Sequence, residues 1–165
     1  MAGLIQENTI TQVGIIVKNI EKSKQKWAAF LGVPVPPTYN SGDYEVTQTR
    51  YKGKAAPKAK CLMAFFDVGP NMQLELIQPN KRKSTWREFL KKNGEGIHHI
   101  AFQVKGMDKV LENFAKGDTK SDTKGGEIGK IKCVQRGKYG DASGEYAYLD
   151  TAKDLKCIVE LLESY

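Results

Sequence analysis

Cysteine is scarce in this chain. The three cysteines among 165 residues, Cys61, Cys133 and Cys157, are scattered and form no CxxC pair. This count argues against a disulfide framework and predicts reduced thiols and a cytoplasmic location. Long apolar runs are missing as well: none approaches the ~20 residues that a membrane-spanning helix needs, and the first residues lack the pattern of a signal peptide. We therefore expect no membrane role.

Arginine-rich blocks and aromatic-interleaved RNA motifs are also missing, although the net charge is +7. The lysines are spread along the whole chain, which is typical of a solvated exterior. We therefore expect no nucleic-acid partner, and the positive charge favours a small anionic substrate instead. With 40% hydrophobic and 27% charged residues, the composition is that of one globular domain, large enough to fold without covalent cross-links.

What the chain does contain is an internal repeat. Residues 11–22, TQVGIIVKNIEK, reappear 87 positions later as HHIAFQVKGMDK, and residues 74–77, LELI, reappear 85 positions later as VELL. A repeat of this length is the size of a half-domain rather than of a solenoid unit. The repeat predicts one domain, residues 1–165, made of module 8–79 and module 96–165 and joined by linker 80–95.

Each module is predicted to contain a strand, a helix and three further strands. In the first module these are strand 10–17, helix Ile20–Leu31 behind an Asn19 cap, strand 44–51, a basic loop at 52–60, and a hairpin of strands 61–68 and 72–78. In the second module they are strand 97–104, helix 107–116, a polar mobile loop at 118–125, and strands 128–135, 145–150 and 157–162. A short linker helix is expected between a Ser84 cap and Gly94.

The repeat aligns four residues that carry metal-ligand or acid–base chemistry. Gln12 matches His99, and Glu75 matches Glu160, so the symmetry of the modules brings the four toward one axis. One imidazole, two carboxylates and one carboxamide oxygen suit a divalent Zn, Ni, Co, Mn or Fe ion. The alternative is that the two glutamates, each between apolar neighbours, face solvent on an antiparallel sheet, and that the glutamine is merely polar.

The neighbouring histidines compete for a place in such a site. Adjacent strand residues point to opposite faces of a sheet, so only one of the two side chains is expected to enter. The repeat pairs His99 with Gln12, which favours His99 as the ligand and leaves His98 either to pack or to support the ligands from behind.

This arrangement resembles the vicinal oxygen chelate superfamily, which includes glyoxalases, methylmalonyl-CoA epimerases, extradiol dioxygenases and antibiotic-resistance proteins. The most specific stretch is residues 94–104, GEGIHHIAFQV, which is similar to the Gly-x-Gly-hydrophobic-His-His-Ile-Ala segment of the epimerases. The resemblance implies an α+β fold in which duplicated βαβββ modules form an open, half-barrel-like mixed sheet. It also implies a divalent metal held by Gln12, Glu75, His99 and Glu160.

The chemistry that the resemblance implies is abstraction of a proton next to a carbonyl group, with Glu160 or Glu75 as the catalytic base. An epimerase-like isomerase is the favoured interpretation, although the second catalytic glutamate of epimerases aligns near Tyr51 or Lys52. The ligand order resembles that of lactoylglutathione lyase, which is the first alternative. Its usual glutathione-binding Arg, Asn and Arg, however, are replaced here by Ile16, Pro79 and Glu95. A non-catalytic antibiotic-resistance type of binding protein is the second alternative.

The sequence also supports a prediction about assembly. Exposed sheet edges on such modules invite pairing, so we expect a two-fold homodimer. The linker is long enough for the modules to pair within one chain or across the dimer, and both arrangements remain open. An anionic substrate is expected to meet lysines of loop 52–60 near the mouth of the half-barrel.

Overall fold

The computed structural model describes residues 5–117 and 129–165, and the strands in these ranges form one ten-stranded mixed sheet. The strands are β1 (Ile10–Ile16), β2 (Tyr39–Asn40), β3 (Arg50–Tyr51), β4 (Lys54–Ala55), β5 (Cys61–Gly69), β6 (Met72–Pro79), β7 (Gly96–Gln103), β8 (Cys133–Lys138), β9 (Gly144–Leu149) and β10 (Ile158–Ser164). The helices are α1 (Ile20–Leu31), α2 (Tyr44–Thr47), α3 (Thr85–Asn93), α4 (Met107–Lys116) and α5 (Ala152–Leu155).

The order of strands shows how the two modules join. It runs β2-β5-β6-β1-β7-β10-β9-β8-β3-β4. In each module the first strand pairs in parallel with the last, β1 with β6 and β7 with β10. The modules meet where β1 and β7 pair antiparallel. The predicted α+β fold with a half-barrel-like mixed sheet is therefore confirmed, and the modules pair within one chain.

The helix boundaries follow the predicted capping residues. The Asn19 side chain accepts a hydrogen bond from the backbone N–H of Lys22 at 2.9 Å, and Gly32 ends α1 in the left-handed conformation. Ser84 caps α3 by accepting from the backbone N–H of Arg87 at 3.1 Å. Such caps satisfy backbone groups that the first helical turn leaves unpaired.

Two strand predictions were wrong. Residues 44–51, predicted as one strand, form helical turn α2 and the two-residue strand β3, because Gln48 adopts a left-handed φ of 46° that breaks the extended chain. Strand β3 then crosses to pair with β8 of the other module. The strand predicted at 128–135 begins only at Cys133, with a register shift before Gln135. The polar loop predicted at 118–125 lies outside the described residues.

The helices cover the two faces of the sheet differently. Helix α1 packs with one apolar cluster, which includes Val17, Leu74 and Leu76, and α4 packs with a second cluster around Leu149 and Leu161. Linker helix α3 lies on the opposite, concave face. No helix in the described parts of the chain combines the length and the apolar character that crossing a bilayer requires.

Packing on the concave face places Trp86 of α3 against Ile16, Ile77 and Tyr148. Its indole Nε1 donates a hydrogen bond to the Tyr148 hydroxyl at 3.0 Å. Part of the concave face is therefore covered by a segment of the chain itself, next to the residues described below.

Candidate metal centre

Two rows of side chains on the concave face build the site. In the first row, Glu75 of β6 pairs with Gly14 of β1, which pairs with His99 of β7. In the second row, Gln12 of β1 pairs with Ala101 of β7, which pairs with Glu160 of β10. The pairing is pseudo-symmetric. Glu75 lies beside Gly14, two positions after Gln12, and Glu160 lies beside Ala101, two positions after His99. The strand pairing thus has the symmetry that the repeat predicted.

The middle position of each row holds the smallest side chains in the protein. A Cβ atom added to Gly14 would lie only 2.0 Å from Cε1 of His99, so the imidazole occupies the space above this glycine. Ala101, the repeat equivalent of Gly14, is fully buried. Because the middle of both rows is nearly empty of side chain, the four larger side chains can lean inward from their four strands.

The structure brings together all four residues that the sequence predicted. Nε2 of His99 lies 2.8 Å from Oε2 of Glu160, 3.5 Å from Oε2 of Glu75 and 3.4 Å from Oε1 of Gln12. All four side chains are buried, from 0% exposure for His99 to 7% for Gln12. Three oxygens from three different strands therefore surround one imidazole nitrogen.

Burial and the neighbouring charges shift the pKa values of two side chains in this cluster. Burial, and then the charge of Glu160, raise the pKa of Glu75 to about 8, while the charge of His99 acts in the opposite direction. Burial lowers the pKa of His99, but the charges of Glu160 and Glu75 outweigh this, so the His99 pKa lies above its usual value. Ionising both buried carboxyl groups beside one histidine is therefore costly, and a cation among them would relieve that cost.

The donor atoms fit a divalent cation, as three observations indicate. Within the described ranges, Glu75, His99 and Glu160 are the group whose ligand atoms all lie within 4.8 Å of one another. Oε2 of Glu160 is buried and has no aligned hydrogen bond despite its short contact with His99. The donor atoms converge on one small region, as the ligands of a common centre do. A mixed nitrogen and oxygen set is the one that Zn, Ni, Co, Mn and Fe accept.

His98 does not lie where the alternation rule placed it. The β1–β7 pairing shifts between Gly14 opposite His99 and Ile15 opposite Ile97, which leaves His98 as the extra residue of a β-bulge. A bulge interrupts the alternation of faces, so both imidazoles reach the same region, with their centroids 5.3 Å apart. The expectation that the two rings point to opposite faces of the sheet was therefore wrong. The His98 ring nevertheless packs behind His99, as predicted for the histidine that is not the ligand.

Hydrogen bonding and burial define the state of His98. Its Nδ1 lies 3.0 Å from Nδ1 of His99. Burial and the neighbouring His99 lower the pKa of His98 well below its usual value, with only the Thr85 backbone acting in the opposite direction. The ring is therefore neutral near pH 7.

The segment that aligns with the second catalytic glutamate of epimerases supplies no buried carboxylate. Tyr51, which aligns with the second glutamate of epimerases, is a buried residue of β3 paired with Gln135. Glu45, the nearest acid in sequence, is exposed on α2. Lys52 forms an ion pair with Glu88 of α3 at 2.8 Å. Neither Tyr51 nor its neighbours supply a second buried carboxylate to the site.

The sequence did not predict the role of Gly14, nor the aromatic wall that Trp86, Phe89, Tyr146 and Tyr148 form beside the two histidines. Tyr148 lies opposite Glu160 in the β9–β10 ladder, and its ring centroid is 5.1 Å from that of His99. A glycine inside a strand was the available signal, because such a glycine often marks a close approach by another group. The wall had no sequence signal, since its members come from α3 and β9.

The chain is similar to known proteins both in sequence and in structure. The sequence model of the family described as the Glyoxalase/Bleomycin resistance protein/Dioxygenase superfamily matches residues 11–132. Among curated proteins, the chain is similar to the uncharacterized protein YqjC of Bacillus subtilis (strain 168), with 28% identity over 105 residues. The match covers 64% of this chain and spans 64% of the length of that relative.

Similar solved structures cover almost the whole chain. Methylmalonyl-CoA epimerase from Mycobacterium tuberculosis has a TM-score of 0.61 at 17% identity, over 100% of this chain and 92% of that chain. A Streptomyces coelicolor methylmalonyl-CoA epimerase variant in complex with 2-nitronate-propionyl-CoA has a TM-score of 0.57 at 20% identity, over 94% and 96%. Hypothetical protein BH1468 from Bacillus halodurans C-125 has a TM-score of 0.57 at 20% identity, over 95% and 94%. At these identities the similarity establishes the fold alone.

Proposed function

Because the chain belongs to the Glyoxalase/Bleomycin resistance protein/Dioxygenase superfamily, we propose that it is a metal-dependent isomerase or epimerase that abstracts a proton next to a carbonyl group. The observation that carries the proposal is the convergence of Gln12, Glu75 and Glu160 within 3.5 Å of Nε2 of His99 in a buried site. In this proposal these four side chains hold a divalent cation. The cation supplies a positive charge that stabilises the oxyanion formed as the proton leaves.

Glu75 is the better placed of the two candidate bases. A carboxylate that removes a proton and returns it has to be free to move, and the Oε2 of Glu75 lies farther from His99 Nε2 than the Oε2 of Glu160, 3.5 Å against 2.8 Å. Glu160 is therefore assigned mainly to ligation and Glu75 to proton transfer. A single base of this kind returns the proton to either face only if the substrate rotates or is released.

A carboxylic thioester of coenzyme A is the proposed substrate class. Similar folds are those of methylmalonyl-CoA epimerases, and the net charge of +7 favours an anionic ligand. Lys54 of β4 and Lys58 of the loop between β4 and β5 are exposed and are the proposed contacts for the phosphates. Glutathione is disfavoured, because Ile16 is fully buried in the cluster under Trp86 and Glu95 accepts a hydrogen bond from the backbone N–H of Lys18 at 2.7 Å.

Deuterium exchange tests the reaction. The metal-loaded protein is incubated in D2O with methylmalonyl-CoA or with the hemithioacetal of methylglyoxal and glutathione, and incorporation is followed by mass spectrometry. We expect exchange into the thioester, lost by at least roughly a hundredfold in Glu75→Gln at saturating metal. Glu45→Gln, which changes an exposed glutamate, is the matched control and keeps full exchange. Exchange that persists in both Glu75→Gln and Glu160→Gln contradicts the mechanism, and efficient turnover of the hemithioacetal contradicts the substrate class.

A further inference from the structure

The imidazole rings of His98 and His99 approach each other through the same ring nitrogen, Nδ1. Nδ1 of one ring lies 3.0 Å from Nδ1 of the other, which is the length of a good N–H···N hydrogen bond. Such a bond requires one ring to donate its N–H and the other to accept with a bare nitrogen, because two N–H groups or two lone pairs facing each other repel. The state of one ring therefore dictates the state of the other.

The direction of this bond follows from the opposite side of His99. Its Nε2 lies among oxygens of Gln12, Glu75 and Glu160, and in the metal-bound state of the proposed function this nitrogen carries no proton, because its lone pair binds the cation. The neutral His99 ring then has its proton on Nδ1 and donates it toward His98. His98 accepts with a bare Nδ1 and carries its own proton on Nε2.

The surroundings of His98 explain how the acceptor is held. The ring is 2% exposed and makes edge-on contacts with Phe89 of α3 and Tyr148 of β9, both with centroids 5.2 Å away. Its Nε2 is buried without an aligned hydrogen-bond partner. A polar ring is costly in such an aromatic setting, so packing alone does not account for a histidine here, whereas the bond to His99 does.

We propose that His98 is a positioning residue that accepts a hydrogen bond from Nδ1 of His99 and so holds His99 in the tautomer that presents a bare Nε2 to the metal. This inference rests on the metal site of the proposed function and adds to it a specific role for His98. Substitution of a group that supports a ligating histidine in this way typically costs roughly 10- to 100-fold in metal affinity or activity.

Two substitutions of nearly the same shape separate this role from packing. In His98→Asn the side-chain oxygen can take the position of Nδ1 and accept the same bond, whereas in His98→Leu a methyl group takes that position. Affinities for Zn²⁺ and Co²⁺ are measured by competition with a chromophoric chelator, and thermal unfolding is measured without metal. We expect His98→Asn to stay within about threefold of the wild type and His98→Leu to lose roughly 10- to 100-fold.

Stability should rank the two variants in the opposite order. Leucine suits the aromatic surroundings better than asparagine, so the metal-free Leu variant is expected to be at least as stable as the Asn variant. Equal metal affinities of the two variants, or tighter binding by His98→Leu, overturn the proposal. If the wild-type protein binds neither ion, the metal site of the proposed function is refuted as well. If the wild type binds the ions but the two variants do not differ, only the role of His98 is refuted.

A measurement on the unaltered protein provides a test that does not depend on how the variants fold. In the ¹⁵N-labelled, Zn²⁺-loaded protein, NMR detects coupling between two nitrogens across an N–H···N bond. We expect coupling between the two Nδ1 atoms, with the proton on His99 and with His98 protonated at Nε2. A His98 ring that carries its proton on Nδ1 overturns the proposal.

Discussion

Replacing Gly14 by alanine should disable the candidate metal centre by moving His99. The new Cβ would lie 2.0 Å from Cε1, 2.4 Å from Nε2 and 2.5 Å from Nδ1 of that ring. Carbon atoms pack at about 3.5 Å or more, so the ring has to retreat by roughly 1.5 Å or the β1–β7 ladder has to open. Ligand distances in a metal site tolerate only about 0.2 Å, and therefore the affinity for a divalent ion should fall by at least tenfold.

The same change should also lower stability. Overpacking of a buried position costs about 1–3 kcal/mol, which urea denaturation of the metal-free protein can measure. The matched control is Gly69→Ala, another glycine near a strand end, whose added Cβ would have its nearest neighbour, Met72, at 4.0 Å. That variant should stay within about 0.5 kcal/mol of the wild type. If Gly14→Ala binds Zn²⁺ as tightly as Gly69→Ala and unfolds at the same urea concentration, the close approach of His99 to β1 is refuted.

Three further predictions concern pH, the linker helix and assembly. The pKa of Glu75 is raised from 4.5 to about 8, so its neutral form favours folding, and this advantage is lost as the pH rises from about 4.5 through 8. Over that range the metal-free Glu75→Gln variant should therefore gain stability relative to the metal-free wild type. Equal pH dependence of the two proteins in urea denaturation would contradict this. Ser84→Ala removes the cap of α3 and should lower the free energy of unfolding by about 1 kcal/mol. Ser143→Ala, at an exposed position, is the control, and an unchanged unfolding midpoint of Ser84→Ala would count against the cap. The two-fold homodimer stays a prediction, and a monomer at micromolar concentration in sedimentation equilibrium would contradict it.

The repeat in the sequence determined the positions of the candidate ligands. Two modules with matching hydrophobic patterns must use their first and last strands in the same way, so a residue and its repeat equivalent occupy equivalent places around the pseudo-two-fold axis. This made Gln12 equivalent to His99, and Glu75 equivalent to Glu160, without any knowledge of coordinates. The caps of α1 and α3 were equally predictable, because Asn19 and Ser84 act on backbone groups only three residues away.

Local irregularities of the strands could not be predicted from the sequence, because they depend on how each strand pairs with its neighbour. The bulge at His98 exists only through the mismatch between β7 and the facing strand β1, and a single strand carries no record of its partner's register. The break at Gln48 and the crossing of β3 to β8 likewise depend on where the neighbouring module lies. Residue patterns of period two describe an ideal strand, whereas these positions depart from one.

The pKa of Glu75 and the aromatic wall are also properties of the tertiary structure alone. Sequence neighbours of Glu75 are apolar, which is compatible with a solvent-facing carboxylate and with a buried one. Only the curvature of the sheet, together with Trp86 of α3 on its concave face, excludes water and brings Glu160 near enough to raise that pKa. The sequence determined which chemical groups are present and which strands carry them. Their distances, burial and charge balance were decided by the packing of strands that are far apart along the chain.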